Sequence, residues 1–287
     1  MIIRKSINKL GLAYIFLISM NCVALDSDLS MLKINKNLYV ILGGDGQGAN
    51  VGVSVGEQSV VLIDAMVEKS TDNLFKAIRS VSSKPVKYVV NTHDHFDHVG
   101  GNALFSSRGA TIISHDSASY EMPMDIIGFD RKLILSHGEE QMEVFHVASH
   151  SPSDAIVYLK TSNVIFVGDV FATGWYPALF HGGISGQNEA IDLVLSWADE
   201  NTKIVPGHGD VSNKSDFLLY KNASILWVDR IMALHKMGVR EEAMTKDKKL
   251  NDIRMMFKTP ATNKDAFDRW FQDLVKNTIQ VESKSAM

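Results

Sequence analysis

Cysteine is nearly absent from this chain: 287 residues contain one, Cys22. A disulfide framework and a thiolate metal site both need several sulfurs, so neither is expected. Excess positive charge is lacking too. The formal net charge is −4, with 29 Lys and Arg against 33 Asp and Glu, and no basic stripe marks a nucleic-acid surface. There are no internal repeats, no low-complexity tract and no Pro-rich linker. Long apolar runs are confined to the N-terminus, where Arg4, Lys5 and Lys9 precede Leu10 to Leu17 and a weaker continuation to Leu25. Ser19 and Asn21 interrupt that run, which is short for a membrane span and reads as a secretory signal. Cleavage is expected after Ala24, with Cys22 as the small residue two positions before it; Met20 and Asn21 fit poorly before a lipidated Cys22. Residues 1–24 are thus expected to be removed and residues 25–287 to form a single domain. That domain is expected to be periplasmic or secreted, monomeric and without a stable membrane anchor.

What is present is an ordinary globular composition, 45% hydrophobic and 22% charged. Runs of β-branched and aromatic residues read as strands at Asn37–Leu42, Val51–Val55, Val60–Ile63, Pro85–Asn91, Ala110–Ser114, Lys132–Leu135, Glu143–Val147, Ala155–Lys160, Val164–Val167 and Lys203–Val205. Helices are expected over Lys69–Val81, Asp97–Phe105 and Gln187–Ala198 (capped by Ser185), then Ser215–His235, Arg240–Ala243 and Lys264–Lys276. Two batches of strands with helices between and after them predict an α/β (α+β) architecture. Two mixed β-sheets pack face to face with helices outside, a four-layer αββα sandwich, with C-terminal helices from about residue 215.

The chemistry concentrates in Asn91-Thr92-His93-Asp94-His95-Phe96-Asp97-His98-Val99-Gly100-Gly101. Residues two apart on an extended segment point the same way, so His93 and His95 share a side. Asp97 and His98 swing round as the chain enters a helix. The cluster suits two metal ions better than one, and imidazole with carboxylate favours zinc while leaving iron and manganese open. Three later strand ends each carry one more metal-competent residue beside Gly, Pro or Ser: His150, Asp169 and His208.

With these residues in this order, the chain between about Asn37 and Asp210 resembles the metallo-β-lactamase-fold hydrolase superfamily, in its HxHxDH form. The resemblance implies two zinc ions per chain, one held by His93, His95 and His150, the other by Asp97, His98 and His208, with Asp169 bridging. Asp64, at the end of an early strand, would support the ligand loop by hydrogen bonds. A water activated by both metals would attack a carbonyl carbon, and Asp97 would orient it and carry its proton to the leaving group. The expected activity is zinc-dependent hydrolysis of a small-molecule acyl substrate: an ester, thioester, lactone or amide.

A periplasmic β-lactamase is one alternative. Against it, the resemblance puts Asp169 where true β-lactamases usually have Cys or Ser, and Val170 to Asn188 contains no Lys or Arg to hold a substrate carboxylate. Lys214 is the nearest basic residue after the last ligand loop. An iron-dependent redox enzyme and a non-catalytic metal-binding partner are further alternatives on the same ligands. Gly43 to Gly48 and the segment Trp175, Tyr176, Leu179, Phe180 and His181 are expected to overhang the site, with Trp175, Tyr176 and His181 as candidate substrate contacts.

Overall fold

The computed structural model describes residues 29–44, 46, 48–120, 124–257 and 264–285; the expected export signal lies outside them. Among the described residues, thirteen strands form two sheets. The first contains β1 (Met31–Lys33), β2 (Leu38–Ile41), β3 (Val51–Val55), β4 (Val60–Ile63), β5 (Val86–Val90), β6 (Thr111–His115) and β7 (Ile126–Phe129), side by side in that order. Strands β1 to β4 are antiparallel neighbours, and β4 to β7 run parallel. The second sheet contains β8 (Lys132–His137), β9 (Glu140–His146), β10 (Ala155–Leu159), β11 (Val164–Phe166), β12 (Lys203–Val205) and β13 (Ser212–Asn213), in the reverse spatial order. Its pairs are antiparallel apart from β11 with β12.

The helices are α1 (Thr71–Val81), α2 (Phe96–Val99), α3 (Asn102–Ser107), α4 (Gly183–Trp197), α5 (Lys214–Lys236), α6 (Glu241–Met244), α7 (Lys248–Arg254) and α8 (Lys264–Ser285). Three apolar clusters glue the layers. Between the sheets, Val40, Val61, Ile63 and Val90 meet Met142, Val144, Val157 and Phe166. On the outer face of the first sheet, Leu62, Val89 and Ile112 pack with Leu74 and Ile78 of α1 and Phe105 of α3. On the outer face of the second, Ile156, Ile165 and Ile204 pack with Val194, Phe217, Trp227 and Phe271. Strand β4 is buried at every position because it has a helix layer on one side and a sheet on the other, which is why it reads as an unbroken apolar run. The expected αββα sandwich of two mixed sheets is what the chain forms.

Several boundaries differ from expectation. The single helix expected over Asp97–Phe105 is two short ones, broken at Gly100-Gly101. Gly100 passes so close to the segment after β4 that a Cβ would lie 2.2 Å from the Glu68 amide nitrogen, and its N–H bonds to the Met66 carbonyl at 2.8 Å. Ser185 does not cap α4, which starts at Gly183 with Gly182 in the capping position. The Gly182 N–H is drawn to the Ser149 carbonyl at 2.6 Å and the Ile184 N–H to Glu282 Oε1 at 2.7 Å, so the chain enters this helix against its neighbours. Strands β1, β7 and β13 and helix α7 are additions to the expected set, and α8 runs on to Ser285 rather than ending at Lys276.

The helical layer on the second sheet is locked through Trp227. Its ring is fully buried, stacks on Tyr176 at 5.5 Å and donates its Nε1–H to Thr278 Oγ1 of α8 at 3.1 Å. Replacing it with Ala removes that bond and opens a large cavity, so Trp227→Ala should cost about 3–5 kcal/mol in a urea denaturation experiment. A loss under about 1 kcal/mol would show that the layer collapses around the gap.

Candidate metal centre

The site forms at one rim of the sandwich, where strand ends from both sheets meet. Strand β5 delivers buried Val89 and Val90 into the core and then releases Asn91-Thr92-His93. Asp64, at the end of β4, has a left-handed backbone (φ 62°) and aims its carboxylate under that turn. Its Oδ1 accepts the Thr92 N–H at 2.8 Å; Oδ2 accepts the Thr92 hydroxyl at 2.7 Å and the His98 Nδ1–H at 2.8 Å. These bonds tie Asp64 to both the Thr92 turn and the His98 ring. They leave His98 Nε2 facing the centre, 3.3 Å from Asp169 Oδ1.

From the second sheet come His150 after β9, Asp169 after β11 and His208 after β12. The His150 Nδ1–H donates to the Ala178 carbonyl at 2.9 Å, which turns its Nε2 inward to 3.0 Å from His95 Nδ1. The backbone before His208 lies hard against Asp169: a Cβ on Gly207 would fall 1.9 Å from Asp169 Oδ1, so this position takes no side chain.

All seven residues expected to bind metal converge. Donor atoms of His93, His95 and His150 form one group and those of Asp97, His98 and His208 another, each within 4.8 Å. Asp169 sits between them, with Oδ1 3.3 Å from His98 Nε2 and 3.5 Å from His208 Nε2, and Oδ2 3.6 Å from His150 Nε2. Asp97 Oδ2 is 3.2 Å from His208 Nε2. His93 Nε2, His98 Nε2 and Asp169 Oδ1 are buried without a hydrogen-bond partner. Buried polar atoms are rarely left so, and three at one point fit a cation.

The charge environment splits the site. Burial, with His98 beside it, holds the His93 pKa well below the usual imidazole range. Burial likewise lowers His150, to about 4, despite the Asp169 carboxylate. Burial would also lower His98, but the charges of Asp64 and Asp169 outweigh it and hold that pKa well above the usual range. His208 is raised in the same manner by Asp169 and Asp97. Burial alone would raise Asp169 and Asp97, yet neighbouring histidines keep both below the ordinary carboxylate value, Asp169 by far the more. Neutral imidazoles and ionised carboxylates are the forms that bind metal.

A family model described as the metallo-β-lactamase superfamily matches residues 44–208. The chain belongs to that superfamily. Over 137 residues it is 29% identical to a hydroxyacylglutathione hydrolase of Pelagibacter ubique, an alignment covering 47% of this chain and 56% of the relative. The chain thus spans little more than half of that relative's length. It is 25% identical to a type 2 metallo-β-lactamase of Bacillus cereus over 205 residues, covering 65% of this chain and 78% of the other. Among solved structures, a metallo-β-lactamase from Pontibacter korlensis superposes with a TM-score of 0.60 at 20% identity, covering 69% of this chain and 99% of that one.

The structure sorts the remaining expected contacts. Trp175 is half-buried with its ring 5.8 Å from that of His208, and Phe180, 42% exposed, has its ring 5.0 Å from that of His150. His181 is exposed. Tyr176 is not at the site: it is 2% exposed and packs against Trp227 and Phe271. An aromatic run reads alike as core or as rim, and here Tyr176 and Leu179 turn inward. The glycine-rich stretch is tethered at its base, where Asn50 accepts the Gly43 N–H and donates to the carbonyls of Pro206 and Gly209.

Sequence reasoning missed the residues that hold the ligand loops. Asp94 accepts from the Ser119 N–H and the Ser153 hydroxyl, both at 2.8 Å, and Asp154 accepts the N–H groups of His150 and Ser151. Burial pushes the Asp154 carboxyl up to about 7 against those bonds. The one visible signal was Ser151-Pro152-Ser153-Asp154, a composition that favours side-chain-to-backbone turns. Asp64→Ala should weaken metal binding 10- to 100-fold in a chelator competition titration; unchanged affinity would mean that Thr92 and His98 need no such anchor.

Proposed function

We propose that this chain is an exported two-zinc hydrolase that cleaves a neutral or weakly polar acyl compound: an ester, thioester, lactone or amide. The observation that carries the reading is the convergence of two donor triads on a shared Asp169, with three buried polar atoms left for a cation. His93, His95 and His150 would hold one ion and Asp97, His98 and His208 the other. When bound, such ions supply a water acidic enough to attack at neutral pH and an electrophile for the carbonyl oxygen.

The chain's own contribution begins with Asp97. Its carboxylate is ionised and partly exposed at the rim, with Oδ2 fixed 3.2 Å from His208 Nε2. There it orients the attacking water, accepts its proton and returns it to the leaving oxygen, sulfur or nitrogen as the acyl bond breaks. Phe180 and Trp175 flank the two triads with apolar surface, which strengthens polar interactions inside by keeping water out. An acyl bond is also common to the compounds in the relatives' names, a hydroxyacylglutathione and a β-lactam.

A β-lactam would need a cation for its carboxylate. Lys214, the nearest basic residue after the last ligand loop, has its ammonium on the Ala198 carbonyl at 2.7 Å, capping the end of α4 instead. The aryl ester in a panel with a penicillin and a carbapenem should therefore show the highest kcat/KM, since misplacement alone costs on the order of a hundredfold. A carbapenem well above the ester would overturn this preference.

Metal analysis of the purified protein should find about two zinc ions per chain, with turnover lost on chelation and restored by zinc. One iron and no zinc would instead favour redox chemistry. Asp97→Ala should lower kcat by about 100-fold or more, as expected for loss of a general base. Near-full turnover would show that Asp97 is not the proton carrier.

A further inference from the structure

We propose that Trp270, on the C-terminal helix α8, completes the substrate site. With Trp175 it would form a wall on the His208 side that takes a flat apolar group of the substrate, such as an aryl substituent. This deepens the hydrolase reading and rests on it for the choice of substrates. The contact runs through two rings: Trp175 lies 5.8 Å from the His208 ring, tilted at 36°, and Trp270 meets Trp175 edge-on at 4.8 Å and 73°. An aromatic ring approaching at such distances gains from both area and quadrupole.

Trp270 is 43% exposed, whereas its neighbour Phe271 is 2% exposed. Helix α8 therefore buries one face and holds a partly exposed indole against Trp175. Its placement is rigid. Phe271 packs on Trp227, Thr278 accepts the Trp227 Nε1–H, and Glu282 accepts the Ile184 N–H at the start of α4. That last bond lies two residues beyond Gly182, which is itself bonded to Ser149 of the His150 loop. The same scaffold that sets the donors thus sets Trp270. Across the site, Phe180 lies beside His150, so the reacting carbonyl would sit between apolar walls. Helix α8 lies wholly beyond the stretch that the family model matches, which ends at residue 208.

The test compares S-phenyl and S-ethyl thioacetate by thiol release, using the metal-loaded full chain and its Trp270→Ala and Trp270→Phe variants. Loss of the indole should raise KM for the phenyl substrate about tenfold, with kcat within about twofold and KM for the ethyl substrate unchanged. Phe should restore most of the effect. Exposed substitutions of this kind leave the fold intact, and a thermal midpoint within about 2 °C of wild type would verify it. Equal changes for both substrates, or none, would overturn the proposal. A second measurement does not need turnover: benzyl alcohol, titrated by tryptophan fluorescence, should saturate the wild type and bind about tenfold more weakly to Trp270→Ala. No saturation, or equal affinity, would overturn the proposal as well. If wild type releases no thiol from either thioester but benzyl alcohol binding still depends on Trp270, the wall stands and the hydrolase reading fails.

Discussion

One buried carboxylate governs the geometry of the rim. Asp64 accepts three hydrogen bonds, from the Thr92 amide, the Thr92 hydroxyl and His98 Nδ1. To reach them, its backbone takes a left-handed conformation, as does that of Met66 two residues later. Such conformations cost of order 1–3 kcal/mol each and survive where the surroundings over-determine them. Here the surroundings do so: the Asp64 N–H bonds to Val90 and the Ala65 N–H to His98. The end of β4 is thus stitched to the end of β5, and the histidine run inherits its orientation from that seam. Removing the carboxylate would take from the Thr92 amide, the Thr92 hydroxyl and His98 Nδ1 the acceptor they share, and a buried donor costs more unpaired than it gains when paired.

The legibility of the chain follows the range of the forces involved. Strands β3 and β4 lie where the valine runs put them, because burial on both faces leaves no room for polar positions. Strand β7 was invisible because it is an edge: Ile126, Ile127 and Gly128 are exposed, and a short segment with glycine carries little pattern. The seven donors were legible because four sit in one short run and the others each follow a strand end. Asp94 and Asp154 were not, since their partners depend on loops meeting in three dimensions. Tyr176 shows the limit for aromatic residues. Its ring is core and that of Trp175 is rim, although they are adjacent in sequence and alike in composition.

The two donor groups differ in electrostatic character. His93 and His150, crowded by other imidazoles and buried, favour the neutral form. His98 and His208 face ionised carboxylates and favour the charged one. The first group offers neutral nitrogens, and the second includes Asp97, while Asp169 reaches both. An ion in the first group would keep more of its charge for polarising a bound oxygen. One in the second would be more nearly neutralised, with Asp97 left to handle protons. The electrostatic difference follows from which carboxylates the fold places beside each group.

The donors are also divided by ancestry in the fold. His93, His95, Asp97 and His98 hang from the first sheet, and His150, Asp169 and His208 from the second. The sheets otherwise adhere through apolar side chains and a few hydrogen bonds, such as those of Asn50 to the carbonyls of Pro206 and Gly209. A cation shared across the seam would add a further clasp between the two sheets. An ion that binds the native arrangement better than the unfolded chain would stabilise the whole sandwich in proportion to the logarithm of its free concentration over its dissociation constant. The thermal stability of this protein should then track metal supply. Without such an ion, only the protein's own contacts would hold the two halves of the donor cluster together.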